Sequence, residues 1–157
     1  GVQTCALPIW LLAHLAGGHE TRYPTLPDAV AAAIREARWQ SLRGMLTRLV
    51  AQGKRVTLVL QAPELPRDVQ TLVSRSARPR EDIRGVSVAW WKARGAWLAP
   101  RLAELPAAVR VFDPASLFCD AELCSVARAG EAWYFDDDHM SVHGARRVAD
   151  ALLAAAP

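Results

Sequence analysis

The residues of this chain best able to do chemistry together lie in Tyr134-Phe135-Asp136-Asp137-Asp138-His139-Met140-Ser141-Val142-His143-Gly144-Ala145. A carboxylate close to a histidine fixes the imidazole tautomer and stabilises the imidazolium, which leaves the other ring nitrogen to take a proton from a hydroxyl nucleophile. Asp136 and His139, three apart on one tight loop, can form such a pair. Two other readings fit the same residues. Asp136 to Asp138 could serve only as an acidic start to the following helix, favoured by its positive N-terminal end, with His139 on the surface. Alternatively, the three carboxylates with His139 and His143, the histidines four apart, offer ligands for a metal site.

Several elements are needed to position that loop. Trp10-Leu11-Leu12-Ala13-His14-Leu15, ended by Gly17-Gly18, reads as a buried strand running into a loop. Val30, Ile34, Ala37, Leu42, Met45, Leu46 and Leu49 recur at helical spacing, which predicts a long amphipathic helix from Asp28 to Gln52 stopped by Gly53. Arg55 to Leu60 is apolar and β-branched without alternation, the pattern of a strand buried on both faces. Gln61 to Pro66 contains two prolines and is expected to be a loop. Short helices are expected over Asp68 to Ser76 and over Ser87 to Glu104, the second broken near Gly95 and Pro100.

Val109 to Phe112 is the next strand, and Trp133-Tyr134-Phe135 is a brief extended segment before the acidic loop. Ser141 is placed to cap a final helix with Val142, Ala145, Val148, Ala149 and Leu152 on its inner side. Strands separated by helices imply an α/β fold, a parallel sheet covered on both faces. Such sheets gather their ligands in loops at the carboxyl ends of strands, where the acidic loop falls.

Composition limits the function classes. The chain has 157 residues, 52% of them hydrophobic and 22% charged. That describes one globular core burying roughly 70% of the unfolded surface. It excludes disorder, collagen and coiled coil. The charge balance of 19 basic against 16 acidic residues gives only +3, spread as single arginines, so nucleic acid is not an expected partner. Of the six tryptophans, Trp90, Trp91 and Trp97 invite carbohydrate stacking, but helical spacing favours core packing. If helical, one of Trp90 and Trp91 must point away from the core.

Residues 1–9, Gly-Val-Gln-Thr-Cys-Ala-Leu-Pro-Ile, can be written back as GGA GTT CAG ACG TGT GCT CTT CCG ATC, which resembles a sequencing-library adapter read in frame. They are expected to be a read-through artefact, with the gene continuing upstream of Trp10. The remaining cysteines, Cys119 and Cys124, are close enough for a local disulfide, a two-cysteine metal site or two free thiols. The apolar stretch Ala6 to Gly18 is not expected to be a signal peptide: it lacks a basic leader, contains Pro8 and His14, and is too short to span a bilayer.

Asp136-x-x-His139 followed by Met140-Ser141 and Gly144-Ala145 resembles the closing block of SGNH (GDSL-type) hydrolases, in the variant found in SGNH domains fused to acyltransferase-3 membrane proteins. Val59-Leu60-Gln61-Ala62-Pro63-Glu64-Leu65 with Asp68-Val69, and Val111-Phe112-Asp113-Pro114 leading to Cys119 and Cys124, resemble two further segments of that group. The resemblance implies a three-layer α/β/α sandwich around a parallel sheet (SGNH or flavodoxin-like), with the first strand and nucleophile block missing. Residues 10–157 would be the C-terminal part of that single domain.

By resemblance, Asp136 and His139 are the acid and base of a Ser-His-Asp triad, and Asp137 and Asp138 only shape the loop. The family's Gly-Asp-Ser turn has no match at Ser41, Ser74, Ser76, Ser87, Ser116, Ser125 or Ser141, and the chain has no Asn to act as the family's oxyanion donor. Backbone N–H groups of Gly17 or Gly18, or His14, are the candidate substitutes. The resemblance further implies a Cys119–Cys124 disulfide, no cofactor or metal, and acyl transfer to a cell-envelope polysaccharide. The acyl donor would be delivered by the fused membrane acyltransferase domain, with this domain on the periplasmic or extracellular side. A stand-alone esterase and a non-catalytic domain that binds glycan or protein are the alternatives.

Overall fold

The computed structural model describes residues 3–5, 28–65, 69–75 and 82–155. In chain order the elements are β1 (Gln3–Cys5), α1 (Asp28–Ala51), β2 (Val56–Val59), α2 (Val69–Arg75), β3 (Ile83–Ser87), α3 (Val88–Arg94) and a 3₁₀ helix over Ala99–Glu104. They continue with β4 (Val109–Phe112), α4 (Ala115–Phe118), β5 (Leu123–Arg128), β6 (Glu131–Ala132) and α5 (Val142–Ala154). The chain divides into two compact units, one gathering the residues up to Leu60 with Arg94–Phe112, the other gathering Gln61–Ala93 with the residues from Asp113 onward.

The first unit is built on the expected α/β pattern. Trp39, Leu42 and Leu46 form a buried stripe on α1 at helical spacing and meet Val56, Leu58 and Val109 of the sheet. Val30 and Ala37, expected on that stripe, are exposed; Ala31 is the buried residue of the first turns. The helix stops at Gly53, whose φ of 72° is the left-handed conformation that glycine adopts without steric cost. Lys54 N–H reaches the Leu49 carbonyl at 3.0 Å and Gly53 N–H that of Val50 at 2.9 Å, a Schellman stop.

Strands β1, β2 and β4 form a parallel sheet in that order, with Val56 opposite Gln3 on one side and Val109 on the other. Its edge strand β1 thus comes from the segment that reads as adapter. The expected long helix after Ser87 is broken as the glycine and proline foretell: α3 ends at Arg94, and the 3₁₀ helix carries Pro100 at its start. Trp97 there stands edge-on to Trp39 at 6.5 Å, with the Arg101 guanidinium 4.1 Å from its ring centre. Trp39 donates to Glu104 at 2.9 Å.

The second unit contains a sheet that sequence reading did not foresee. Strands β3, β5 and β6 pair antiparallel in that order. Arg128 pairs with Glu131 around Ala129 and Gly130, both at positive φ (54° and 84°), the signature of a two-residue type I′ turn. The extended segment expected at Trp133 to Phe135 reduces to an isolated bridge between Tyr134 and Met140. Cys119 and Cys124 are joined in a disulfide that ties α4 to β5. Between them Asp120 accepts from the N–H groups of Glu122 and Leu123 and pairs with Arg84.

Helix α5 begins where Ser141 was expected to cap it, with its Oγ accepting from Gly144 N–H at 3.2 Å. Its inner face differs from expectation: Gly144 and Val148 are buried, whereas Val142, Ala145 and Ala149 are exposed. The cause is a close approach. A Cβ at position 144 would fall on the Trp133 carbonyl oxygen, so the helix docks through its glycine.

Candidate active site

The loop from Tyr134 to Met140 is closed at its neck and filled by its own polar groups. Phe135 N–H donates to the His139 carbonyl at 2.8 Å, and Ser141 N–H donates to that of Trp133 at 3.0 Å. Beneath the neck Trp133 and Tyr134 are buried, with the Phe118 ring 5.7 Å and 5.6 Å from theirs. From the segment after β2, Leu65 N–H holds the Asp137 carbonyl at 2.7 Å and Gln61 Nε2 holds the Asp138 carbonyl at 3.1 Å. The loop backbone is thereby fixed from several sides before any side-chain chemistry is considered.

Within that frame Asp136 faces His139. Its Oδ1 accepts from His139 N–H at 2.7 Å and Asp138 N–H at 3.1 Å, and its carboxylate meets imidazole Nδ1 at 2.9 Å through Oδ2 and 3.2 Å through Oδ1. Partial burial pushes the Asp136 carboxyl up, but the two backbone hydrogen bonds and the imidazole together hold it below the usual range. His139 is raised above its ordinary value, first by its hydrogen bond to Asp136, against partial burial and with the three loop carboxylates adding to the rise.

With Nδ1 facing the carboxylate, Nε2 is the nitrogen left to exchange a proton with a reactant. The His139 side chain is 65% exposed, and among the described residues none hydrogen-bonds Nε2. The described serines are engaged elsewhere or remote in contact: Ser87 Oγ accepts from Trp90 N–H, Ser125 is buried in β5, and Ser141 Oγ donates to the Ala132 carbonyl at 2.6 Å. None of them pairs with His139. His14, Gly17 and Gly18, the candidate oxyanion donors, and the strand expected at Trp10 to Leu15 lie outside the described residues.

The two other readings of the loop are narrowed. The first turn of α5 contains no acidic residue, and the carboxylates of Asp136 and Asp138 are turned onto His139 instead. As metal ligands, among the described residues only Asp136, Asp138 and His139 bring donor atoms within 4.8 Å of one another. His143 faces Glu131 at 3.7 Å and is not among them.

Two features escaped sequence reading. Asp138, expected only to shape the loop, places Oδ1 2.8 Å from Nδ1 of His139. Phe135, beside the pair, is 73% exposed, while Trp90, Trp91 and Trp97 are half-buried. The exposed aromatic residue of the site is therefore Phe135, and the surface position expected for Trp90 or Trp91 is not found.

A family model described as SGNH domain (fused to AT3 domains) matches residues 11–154. None of the curated proteins and none of the solved structures matches the chain. Among the described residues no helix is long and apolar enough to cross a membrane.

Proposed function

Because the chain belongs to the SGNH domains that are fused to AT3 domains, we propose that it carries the acid and base of an acyl-transfer site, with Asp136 orienting His139. The family is hydrolase- and acyltransferase-like; O-acylation of a cell-envelope polysaccharide is the specific reaction we assign. In our reading residues 1–9 are adapter-derived, residues 10–157 are the C-terminal part of the domain, and the serine nucleophile belongs to chain preceding Trp10.

The chemistry proposed is that of an acyl-serine intermediate. The serine hydroxyl attacks the carbonyl of the acyl donor while Nε2 of His139 takes its proton, and Asp136 stabilises the imidazolium so formed. The imidazolium then returns the proton to the departing group, leaving an acyl-serine. A sugar hydroxyl attacks that ester, again losing its proton to Nε2, and the serine is restored. Water in place of the sugar would give the esterase reaction. The acyl donor comes from the fused acyltransferase domain in the membrane. Placement outside the cytoplasm is supported by the Cys119–Cys124 disulfide, a bond that persists in oxidising compartments.

The observation that carries this reading is the Asp136–His139 contact, held by two backbone N–H groups with the imidazole face open. It is tested with the protein encoded by the intact gene, assayed for acyl transfer from an activated acetyl ester. His139→Ala should lower turnover by about 10³-fold. The 157-residue chain itself should show no turnover. Ester turnover by this chain that vanishes in His139→Ala would place the nucleophile within it and overturn the upstream serine.

A further inference from the structure

Asp138 stands in an unusual position for a residue whose neighbours suffice to close the loop. Its side chain is only 16% exposed, against 28% for Asp136, and its Oδ1 lies 2.8 Å from the same Nδ1 that Asp136 meets at 2.9 Å. Only Asp136 is in line to accept the Nδ1 hydrogen; Asp138 approaches the ring as a charge. Its peptide is held from a distant part of the chain, through Gln61 Nε2 on its carbonyl.

We propose that Asp138 is a positioning residue for His139: its carboxylate, carried on a backbone that Gln61 holds through the Asp138 carbonyl, keeps the imidazole against Asp136 and stabilises the imidazolium formed when Nε2 takes a proton. This rests on the reading of His139 as the base. Two carboxylates on one nitrogen serve different ends. Asp136 selects the tautomer by accepting the hydrogen, and Asp138 adds a second negative charge beside the same nitrogen. The charged groups around the imidazole are Asp136, Asp137 and Asp138 on its own loop. From the segment holding the loop, the one acidic side chain is Glu64, which acts on Tyr134.

The test is a proton-NMR titration of His139 in the 157-residue chain, with the other three histidines as internal references. Asp138→Asn should lower its midpoint by about half a pH unit or more, as the loss of a charge at contact distance requires. Asp138→Glu should restore most of the shift. In the intact enzyme the acidic limb of kcat/KM should move to lower pH in Asp138→Asn, whereas a merely structural defect would lower the plateau without moving the limb.

An unchanged midpoint in Asp138→Asn, with a lowered one in Asp136→Asn, would overturn this role and leave the Asp136–His139 reading standing. If neither substitution moves it, the pair itself is overturned. Should Asp138→Asn fail to fold, Gln61→Ala reads the same support from outside the loop: a lowered midpoint sustains the proposal and an unchanged one overturns it.

Discussion

The ring of Phe118 lies 5.6 Å from that of Tyr134, and Phe118 directly precedes the disulfide half Cys119. The floor of the Asp136–His139 loop is thereby tied to a covalent clamp. Replacing both Cys119 and Cys124 by Ser should lower stability by about 2 kcal/mol, the chain-entropy value for so short a loop. Urea unfolding followed by tryptophan fluorescence should show this loss, and reductant should destabilise the parent chain but not the double variant. A parent midpoint indifferent to reductant would contradict it.

Gly144→Ala should be among the most damaging small changes. The added methyl falls on the Trp133 carbonyl, so α5 must lift from the loop it anchors, at a cost of about 2–4 kcal/mol. Gly44→Ala is the control. It lies within α1 with only the tip of Arg48 within 4 Å, at 3.6 Å, and should stabilise by up to about 1 kcal/mol through helix propensity. Thermal unfolding of the two variants should move in opposite directions.

Ala129 bears a side chain at a φ of 54°, where non-glycine residues cost about 1 kcal/mol. Ala129→Asn or Ala129→Gly should therefore raise the unfolding midpoint, while Ala129→Val should lower it. Calorimetry on the three variants checks the order.

The Asp136–His139 pair should leave a mark on stability against pH. His139 is raised in the folded chain, so its contribution is complete below the ordinary imidazole value of about 6.5 and is lost as pH rises through the folded value. Asp136 is lowered, so its contribution is present above about 3.9 and is lost as pH falls through its folded value. The pair thus stabilises most between those limits. Asp136→Asn should lower stability across that window and flatten the slopes on either side of it, as read from urea midpoints at a series of pH values, with a smaller loss near pH 9, where His139 is neutral.

Much of this was legible in the residues themselves. Leu42, Met45, Leu46 and Leu49 with the stop at Gly53 announce α1, and the β-branched runs announce β2 and β4, because period and punctuation are local properties. Asp136 and His139 were legible for the same reason, since three residues on a tight loop bring a carboxylate back onto its own imidazole. The antiparallel sheet was not. Cys124, Ser125, Val126 and Ala127 are buried in succession, which abolishes alternation, and Ala129 stands where Asn or Gly would have signalled the turn. Asp138 was hidden because its placement depends on Gln61, 77 residues away in sequence. The phase of α5 was misjudged because Gly144, with no side chain to count, is the residue that docks.

The proposed acid, base and supporting charge occupy one stretch of four consecutive residues, Asp136 to His139, closed on itself by the Phe135 to His139 hydrogen bond. Such a stretch is inherited as a single piece. Recombination within the gene keeps or discards Asp136, Asp138 and His139 together. The same short segment grafted onto another fold would bring its contact between carboxylate and imidazole along.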